Sequence, residues 1–567
     1  MNRILHRGWV AAVFFMILAL APMGALAAKL TQIWVTPADD EAVQADSLPI
    51  DAIRWWYSKN DKVYYLFLPA GMEGETLRLW FDGPESITAN GKTIHSGDTA
   101  DFLTPGAKVN LAADSGKFTL RVMQSQNVPA MFLTTESGTV KNIHKSKKNE
   151  EKGSLTLLNA DGSLAYEGLL SQIKCRGNAT FGFTKKAYQI KLDKSTDLYG
   201  MGKAKTWILL ADHRDNSLLR NKITFALSDA VGMAYTSKSQ TVDVYINNDY
   251  YGTYLLCEKV EICDSRIDIN NLEKATEEAN ENPLDSYPAF GSTGYRFGKT
   301  KGFNIPNDPE DITGGYLLEL DYPDRYKKEV SGFVTARGLP VVIKEPEAVS
   351  KAQADYISAF IQGFENAVFA EDGIDPESGK HYSEFVDMDS LVKKYLIEEI
   401  TKNFDGNRSS FYVYKPADDQ STLAFAGPSW DYDISMGNYM AERNQRITRP
   451  ESFAINNDNG ERFYWFPALY KKADFYKAAV STYYEVFVPA LNVLLGLEEE
   501  DSGSLRSIDD YAQEITASAA MNYTRWPVFN ASDRPAKTGR NYAENIDYVK
   551  NFLTLRMAFL QENWPEP

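Results

Sequence analysis

The most constraining feature of the sequence is a helix that leads directly into a β-hairpin, within residues 395–439. The pattern predicts the helix over 391–401 and the two strands over 410–414 and 422–425, joined by a polar loop. The strands of a hairpin lie side by side, so the residues just before it and just after it come close together in space. Side chains at those two positions are therefore expected to face one another.

Both positions carry carboxylates. Asp405 lies in the turn before the first strand, and Asp431 and Asp433 follow the second strand in the run Trp-Asp-Tyr-Asp. Strand alternation would direct Asp431 and Asp433 to one face, with Trp430 and Tyr432 on the other. Facing carboxylates suit phosphoryl transfer, in which one orients the attacking hydroxyl and another holds Mg²⁺. The alternative is an ordinary hairpin, because aspartates also favour turns for local reasons.

The N-terminus predicts export. Arg3 and Arg7 precede an apolar run over 9–20 and a small-residue cleavage site at 25–27, the pattern of a signal peptide over 1–27. A membrane anchor is the weaker alternative, because the apolar run is short. We therefore expect a secreted or cell-surface bacterial protein with no membrane span in the mature chain.

Composition and charge exclude several function classes. The formal net charge is −17, which disfavours nonspecific binding to nucleic acid or to an anionic membrane surface. Three cysteines form neither a disulfide framework nor a zinc motif, although Cys257 and Cys263 could pair across a turn. The five histidines lack metal-ligand spacing, so a histidine-ligated metal site is not expected.

The chain changes character along its length. Residues 28–128 contain short apolar runs between turn signals, including Asn90-Gly91, and predict a small all-β sandwich-like accessory domain. A charged connector is expected over 129–152, and the remainder, 153–567, mixes strands and helices. Residues 274–311 of this part are polar and read as a surface insertion.

The strands after the connector carry charged residues that could contact a phosphate. Arg176 lies in an Arg-Gly-Asn turn, which brings a guanidinium and backbone amides together. Lys186 and Lys191 flank or lie in an apolar strand, where a lysine can clamp a nucleotide phosphate. Glu258 lies among apolar neighbours in a later strand and would need a lysine or metal partner if buried. The alternative for each lone cation is a solvated strand face.

The order of these motifs resembles the family of spore coat protein H kinases, the CotH family. The resemblance covers about 153–439, more loosely the tail, and is carried by IKCRGNATFGFTKKAYQIKL, WILLADHRDNSLLRNKITFAL, YYGTYLLCEKVEI, GGYLLELD, KNFDGNRSSFYVYK and GPSWDYDISMG. It implies an α+β fold with a divergent, atypical kinase-like catalytic domain. It also implies a metal-dependent activity that uses ATP and Mg²⁺ or Mn²⁺ to phosphorylate Ser or Thr of a protein substrate.

The resemblance assigns roles to individual positions. Asp405 matches the catalytic aspartate, and the two aspartates of the WDYD run, Asp431 and Asp433, match the metal-binding motif. Arg176 and Lys186 match basic residues of the nucleotide pocket. The match of Lys191 to a second lysine is less direct. Two further roles are drawn from ordinary kinases: Glu258 as the partner of a phosphate-binding lysine, by analogy with their helix glutamate, and Asn407 as a substitute for their metal-binding asparagine.

The sequence also departs from the family pattern. Ala179 stands where the family usually has a serine, which removes a hydroxyl from the Arg-Gly-Asn turn. Ser410 occupies the position of the metal-binding asparagine of ordinary kinases. Two alternatives follow: a non-catalytic surface-binding protein that keeps the fold, or a glycosidase using paired carboxylates. A surface or polysaccharide partner is conceivable for the β-module, and no nucleic-acid partner is expected.

Overall fold

The computed structural model of the protein describes residues 30–37, 52–72, 76–113, 116–291, 296–439, 445–456, 464–499, 505–530 and 539–567. The signal peptide expected over 1–27 lies outside these residues. Within the described ranges, no helix combines the length and the apolar character that crossing a membrane requires. The strands of the described residues form an N-terminal pair of sheets, a closed barrel and an antiparallel sheet.

The N-terminal region is all β. Its strands are β1 (Gln32–Pro37), β2 (Ile53–Arg54), β3 (Trp56–Ser58), β4 (Val63–Leu68), β5 (Leu77–Asp82), β6 (Ser86–Ala89), β7 (Lys92–His95), β8 (Asp98–Thr99), β9 (Lys108–Ala113) and β10 (Gly116–Gln124). They form sheets of order β2-β1-β5-β8 and β3-β4-β10-β9-β6-β7, which share one apolar core. The hairpin predicted at Asn90-Gly91 is confirmed: both residues have positive φ, and β6 pairs with β7.

A closed barrel follows. Its strands are β11 (Ala130–Thr135), β12 (Glu150–Leu158), β13 (Leu164–Arg176), β14 (Ala187–Asp197), β15 (Lys203–Leu210), β16 (Ser239–Ile246) and β17 (Asp249–Glu258), with helix α1 (Arg220–Ala230) between β15 and β16. The order is β11-β12-β13-β14-β15-β17-β16, closed by parallel pairing of β16 with β11. The expected connector over 129–152 is corrected here. It supplies β11 and the start of β12, because Met131 and Leu133 are buried in the barrel core.

The second half is a sheet packed with helices. Its strands are β18 (Ala289–Phe290), β19 (Thr300–Phe303), β20 (Tyr316–Leu320), β21 (Gly332–Val334), β22 (Pro340–Glu345), β23 (Phe411–Lys415) and β24 (Phe425–Ala426), in the order β18-β19-β21-β22-β20-β23-β24. Its helices are α2 (Leu272–Glu278), α3 (Pro323–Tyr326), α4 (Lys351–Phe369), α5 (Met388–Thr401), α6 (Gln445–Thr448), α7 (Trp465–Leu469), α8 (Ala473–Thr482), α9 (Val488–Leu494), α10 (Ile508–Arg525) and α11 (Tyr542–Asn563).

The polar segment 274–311 is more than a surface insertion. It supplies β18 and β19 at one edge of the sheet, where β19 pairs with β21. Phe303 and Ile305 are buried with Leu284 in a small apolar cluster. A few apolar side chains in a polar segment are enough to attach it to the sheet.

The helix–hairpin unit forms as predicted, with shifted ends. Helix α5 begins three residues earlier than expected, because Asp387 caps it by accepting the Ser390 N–H. It ends at Thr401, as predicted, and is followed by the C-cap residue Lys402, which has a left-handed φ of 49°. Strands β23 and β24 then pair antiparallel. This unit places the turn and the WDYD run beside each other at the edge of the barrel.

Candidate active site

A cleft of about 530 Å³ lies between the barrel and the antiparallel sheet. Its walls come from β13, β14 and β15 on the barrel side and from β20, β22 and β23 on the sheet side. Asp405, Asp431 and Asp433 all line it, as does Arg176. The hairpin geometry thus brings the three predicted aspartates into one cavity.

Asp405 is held at the end of the turn that follows α5. Its backbone N–H donates to Asn403 Oδ1 over 3.2 Å, and its Oδ1 accepts from the Tyr322 hydroxyl over 2.9 Å. The residue is 8% exposed. Burial, and then the charge of Asp431, raise the pKa of Asp405 to about 7. A carboxyl with such a pKa can accept a proton near neutral pH.

The WDYD run is irregular, which corrects the expected strand alternation. Asp431 has a left-handed φ of 67°, and Trp430 lines the cleft together with Asp431 and Asp433. Tyr432 alone turns inward, where its hydroxyl donates to Glu398 Oε1 over 2.6 Å. The side-chain directions in this run are therefore set by the buried Tyr432–Glu398 hydrogen bond rather than by the alternation of a regular strand.

Asp212 is a further carboxylate of the cleft, which the sequence reasoning missed. It follows β15 directly, with a left-handed φ of 44°, and its Oδ1 accepts from Asn221 Nδ2 over 2.8 Å. Asn221 Oδ1 in turn accepts the Tyr432 N–H over 2.7 Å. One amide side chain thus ties the barrel carboxylate to the WDYD run. An acidic residue directly after an apolar strand was the signal available.

The negative charges of these carboxylates repel one another. Burial, and then Asp431 and Asp212, raise the pKa of Asp433 well above its ordinary value. Burial, and then Asp215, raise the pKa of Asp212 to about 7, although the Asn221 hydrogen bond and Lys185 oppose this. A bound divalent cation would relieve this repulsion, and carboxylate oxygens are the ligands that Mg²⁺ and Mn²⁺ prefer. The donor chemistry therefore fits such a cation, although no group of three or more His, Cys, Asp or Glu among the described residues is arranged to hold one.

The cleft also contains cations. Arg176, at the end of β13, places its guanidinium 5.4 Å from the centre of the Trp430 ring. Lys344, on β22, lies 3.6 Å from Glu319 and 3.6 Å from Glu329. Burial lowers the pKa of Lys344, but Glu319, Glu329 and Asp321 together outweigh it and leave the pKa raised. Lys344 was missed, although its strand was predicted, because nothing local marks it as facing a cleft.

The sequence profile described as CotH kinase protein matches residues 173–560, well over half of the chain. The chain belongs to the CotH kinase family. No curated protein sequence matches it. The matched range contains both walls of the cleft, so the resemblance found in the sequence is confirmed, and CotH membership suggests a kinase-like function.

Two lysines expected in the CotH nucleotide pocket lie elsewhere. Lys186 Nζ donates to the carbonyls of Phe181 and Phe183, over 2.6 and 3.2 Å, and does not line the cleft. It stabilises the short 3₁₀ turn Thr180–Gly182 instead. Lys191 shares the strand face of Ala187 and Gln189, which line the cleft, but is exposed beyond the cavity. Lys191 is on the cleft-facing side of the strand, but it lies too far along the strand to reach the cavity.

Asn407 is also corrected as a metal ligand. It has a left-handed φ of 74° and is 6% exposed, and its amide Nδ2 donates to the Ile455 carbonyl over 3.2 Å. It does not line the cleft. Its side chain therefore links the turn that carries Asp405 to the segment at Ile455, outside the cleft. Ser410, at the position of the metal-binding asparagine of ordinary kinases, does line the cleft, and its hydroxyl donates to Asp431 Oδ2 over 3.3 Å.

Glu258 does not partner a cleft lysine. It is buried at the end of β17 and lines a second pocket, where its Oε2 accepts the Lys238 N–H over 2.7 Å. Burial raises the pKa of Glu258 to about 7. Cys257 and Cys263, for which the sequence left a disulfide open, are both free thiols.

Proposed function

We propose that this CotH protein is a metal-dependent protein kinase that transfers the γ-phosphate of ATP to a Ser or Thr hydroxyl. The observation that carries the proposal is the meeting of Asp405, Asp431 and Asp433 in one cleft, in a chain of this family. On this proposal the barrel and the antiparallel sheet act as the two lobes of a divergent kinase-like fold. The cleft between them receives the nucleotide.

Asp405 is the proposed catalytic residue. The acceptor hydroxyl donates a hydrogen bond to the Asp405 carboxylate, and the carboxylate takes the proton as the hydroxyl oxygen attacks the γ-phosphorus. The new oxygen–phosphorus bond forms while the bond to the bridging oxygen breaks and ADP leaves. Tyr322 holds one carboxylate oxygen through its hydroxyl, so the orientation of Asp405 is set before the acceptor binds.

Other charged residues of the cleft are proposed to bind the phosphates and the cation. Asp431 and Asp433, with Asp212 opposite them, would hold the divalent cation, and Arg176 and Lys344 supply positive charge in the same cavity. When bound, Mg²⁺ or Mn²⁺ neutralises charge that develops on the transferring phosphoryl group. Because Lys186 lies outside the cleft, Arg176 and Lys344 replace it in this proposal.

The substrate and location are further parts of the proposal. A protein substrate follows from the family, and export follows from the signal peptide expected over 1–27. The N-terminal β-module then has a surface or polysaccharide as its candidate partner. Mass analysis of the protein recovered from the medium of an expressing bacterium would test export, with an N-terminus near residue 28 as the expected result.

A non-catalytic binding protein is the second candidate, and two observations favour it. The predicted nucleotide lysine Lys186 is used structurally, and Ser410 stands where ordinary kinases have a metal-binding asparagine. A binding protein would keep the cavity but show neither metal-dependent nucleotide binding nor transfer. The two functions are therefore separable by experiment.

The deciding experiment incubates the purified protein with γ-labelled ATP, Mn²⁺ or Mg²⁺, and a serine-rich acceptor protein. We expect label on the acceptor with the wild type and none with Asp405→Asn, which removes the proton-accepting carboxylate. Asp419→Asn, an exposed aspartate of the hairpin loop, is the matched control and should transfer normally. Equal transfer by wild type and Asp405→Asn would refute the catalytic assignment. No transfer and no metal-dependent ATP binding would favour the binding protein.

A further inference from the structure

A second pocket, of about 330 Å³, opens beside the catalytic cleft. It is formed by the end of α1, the loop before β16, the end of β17 and the loop over 264–268. Lys259 and Val260 contribute to the walls of both cavities. Asp405, Asp431 and Asp433 do not line the second pocket. It is therefore a separate site, which the proposed kinase chemistry does not use.

A buried carboxylate oxygen without a hydrogen-bond donor lines this pocket. Glu258 is 3% exposed, and its Oε2 is satisfied by the Lys238 N–H. Its Oε1 has no hydrogen-bond partner. Arg266 Nε lies 3.9 Å from Oε1, which is within ion-pair distance but beyond hydrogen-bond distance, and this Nε has no hydrogen-bond partner. Leaving a buried carboxylate oxygen unsatisfied is costly, so the atom marks a place for a donor from outside the chain.

The charge of the pocket indicates what kind of donor fits. The lining residues include five carboxylates and three cationic side chains, namely Asp229, Glu258, Glu261, Asp264 and Asp268 against Lys238, Lys259 and Arg266. Both Lys259 and Arg266 already pair with Glu261. Arg266 also donates to the Thr206 carbonyl over 2.7 Å and lies over the Trp207 ring. Arg266 is also within ion-pair distance of Glu258, but carboxylates still outnumber cations in the lining of the pocket.

We propose that this pocket binds a small organic amine, whose ammonium group donates a hydrogen bond to Glu258 Oε1. An ammonium group has three donors and a positive charge, which match an unsatisfied carboxylate in an acidic pocket. The cavity, of about 330 Å³, has room for a small organic molecule. Because the catalytic carboxylates line the other cavity, an acceptor protein engaged at Asp405 has no need to reach this pocket.

Titration calorimetry of the purified protein with putrescine tests the proposal, with butanediol as the uncharged analogue of similar length. We expect putrescine to bind at one site and butanediol to give no binding. Glu258→Gln keeps the shape but removes the charge, so putrescine affinity should fall by at least about tenfold. Asp264→Asn, on the exposed rim, should weaken it about threefold or less. Glu281→Gln, an exposed glutamate outside the pocket, should bind as the wild type does.

The variants also separate this proposal from the kinase proposal. Asp405→Asn should bind putrescine normally, whether or not the protein proves to be a kinase. If Glu258→Gln fails to unfold cooperatively, the Asp264→Asn and Glu281→Gln titrations carry the test. Absence of putrescine binding to the wild type would overturn the proposal, as would unchanged affinity in both pocket variants. Binding of Mg²⁺ in place of putrescine at Glu258 would overturn it in favour of a metal, and binding of a lysine-containing peptide alone would overturn it in favour of a protein partner.

Discussion

Glu399 and Asp405 are both buried acids of the same helix–turn segment, yet their surroundings differ. Glu399 Oε1 accepts from Arg556 Nη2 over 2.5 Å and from the Ala454 N–H over 2.7 Å, and its Oε2 accepts the Ile455 N–H over 2.6 Å. Asp405 has the Tyr322 hydroxyl and faces other carboxylates. A buried acid with a cation and backbone donors holds the fold together, whereas one that faces other acids is available for chemistry.

The largest expected effect tests the structural side of this comparison. Arg556→Ala would leave Glu399 as a buried charge without its cation, so the free energy of unfolding should fall by about 3–5 kcal/mol. Chemical denaturation measures it. Arg540→Ala is the control, because the Arg540 side chain is 86% exposed and its ion pair should contribute little. Equal stability of Arg556→Ala and the wild type would remove the distinction drawn between the two acids.

The catalytic side is tested by removing the cleft charges. Asp431→Asn combined with Asp433→Asn should weaken Mn²⁺-dependent nucleotide binding by at least about 100-fold, because both proposed cation ligands are lost. The unfolding midpoint without metal should not fall, since the change relieves repulsion. Fluorescent-nucleotide titration and thermal unfolding measure the two effects. Metal-dependent binding that survives the double substitution would contradict the assignment.

The raised pKa values predict a pH dependence of stability. Folding raises the pKa of Asp405 from 3.8 to about 7, so the folded protein binds this proton more tightly than the unfolded chain. The Asp405 contribution is therefore most favourable below about pH 4 and is lost as pH rises towards about 7. Asp405→Asn should gain stability relative to the wild type over this range. Denaturation curves of both proteins at several pH values check this, and a pH-independent difference would refute it.

A smaller effect is expected at the hydroxyl that orients Asp405. Tyr322→Phe removes one hydrogen bond to the carboxylate, so kcat should fall by about tenfold or less, while the KM for ATP stays unchanged. Steady-state transfer assays measure both constants. Tyr57→Phe, at an exposed tyrosine of the N-terminal region, should change neither. A change confined to the KM for ATP would place Tyr322 at the nucleotide rather than at Asp405.

The smallest predicted effect tests whether Lys186 contacts a nucleotide phosphate or only stabilises a turn. Lys186→Ala should leave nucleotide affinity within about twofold and lower the free energy of unfolding by about 1 kcal/mol, because it removes hydrogen bonds to two carbonyls of a short turn. Lys191→Ala, at an exposed lysine of β14, the strand that follows Lys186, should change neither quantity. A loss of nucleotide affinity above tenfold in Lys186→Ala would restore its predicted role.

The sheet side of the cleft was predicted better than the barrel side. Asp405, Asp431 and Asp433 belong to one local unit, in which a helix end, a turn and a hairpin place the side chains within a short stretch of chain. Lys191 and Glu258 belong to barrel strands, and Lys186 directly precedes one; the cavity-facing positions of these strands depend on pairing with distant strands. Alternation indicates which strand face a side chain takes, but not how far along the strand the cavity extends.

By itself, the sequence determined the all-β N-terminal region, the helix–hairpin unit with its carboxylates, and membership of the CotH kinase family. These follow from turn residues, periodicity and local motifs, which act over a few neighbouring residues. Only the tertiary structure brought Asp212 and Lys344 into the cleft, moved Lys186 to a turn and Glu258 to a second pocket, and made 129–152 part of the barrel. These outcomes depend on the closure of the barrel and on the register of its strands, which are decided by the packing of strands distant in sequence.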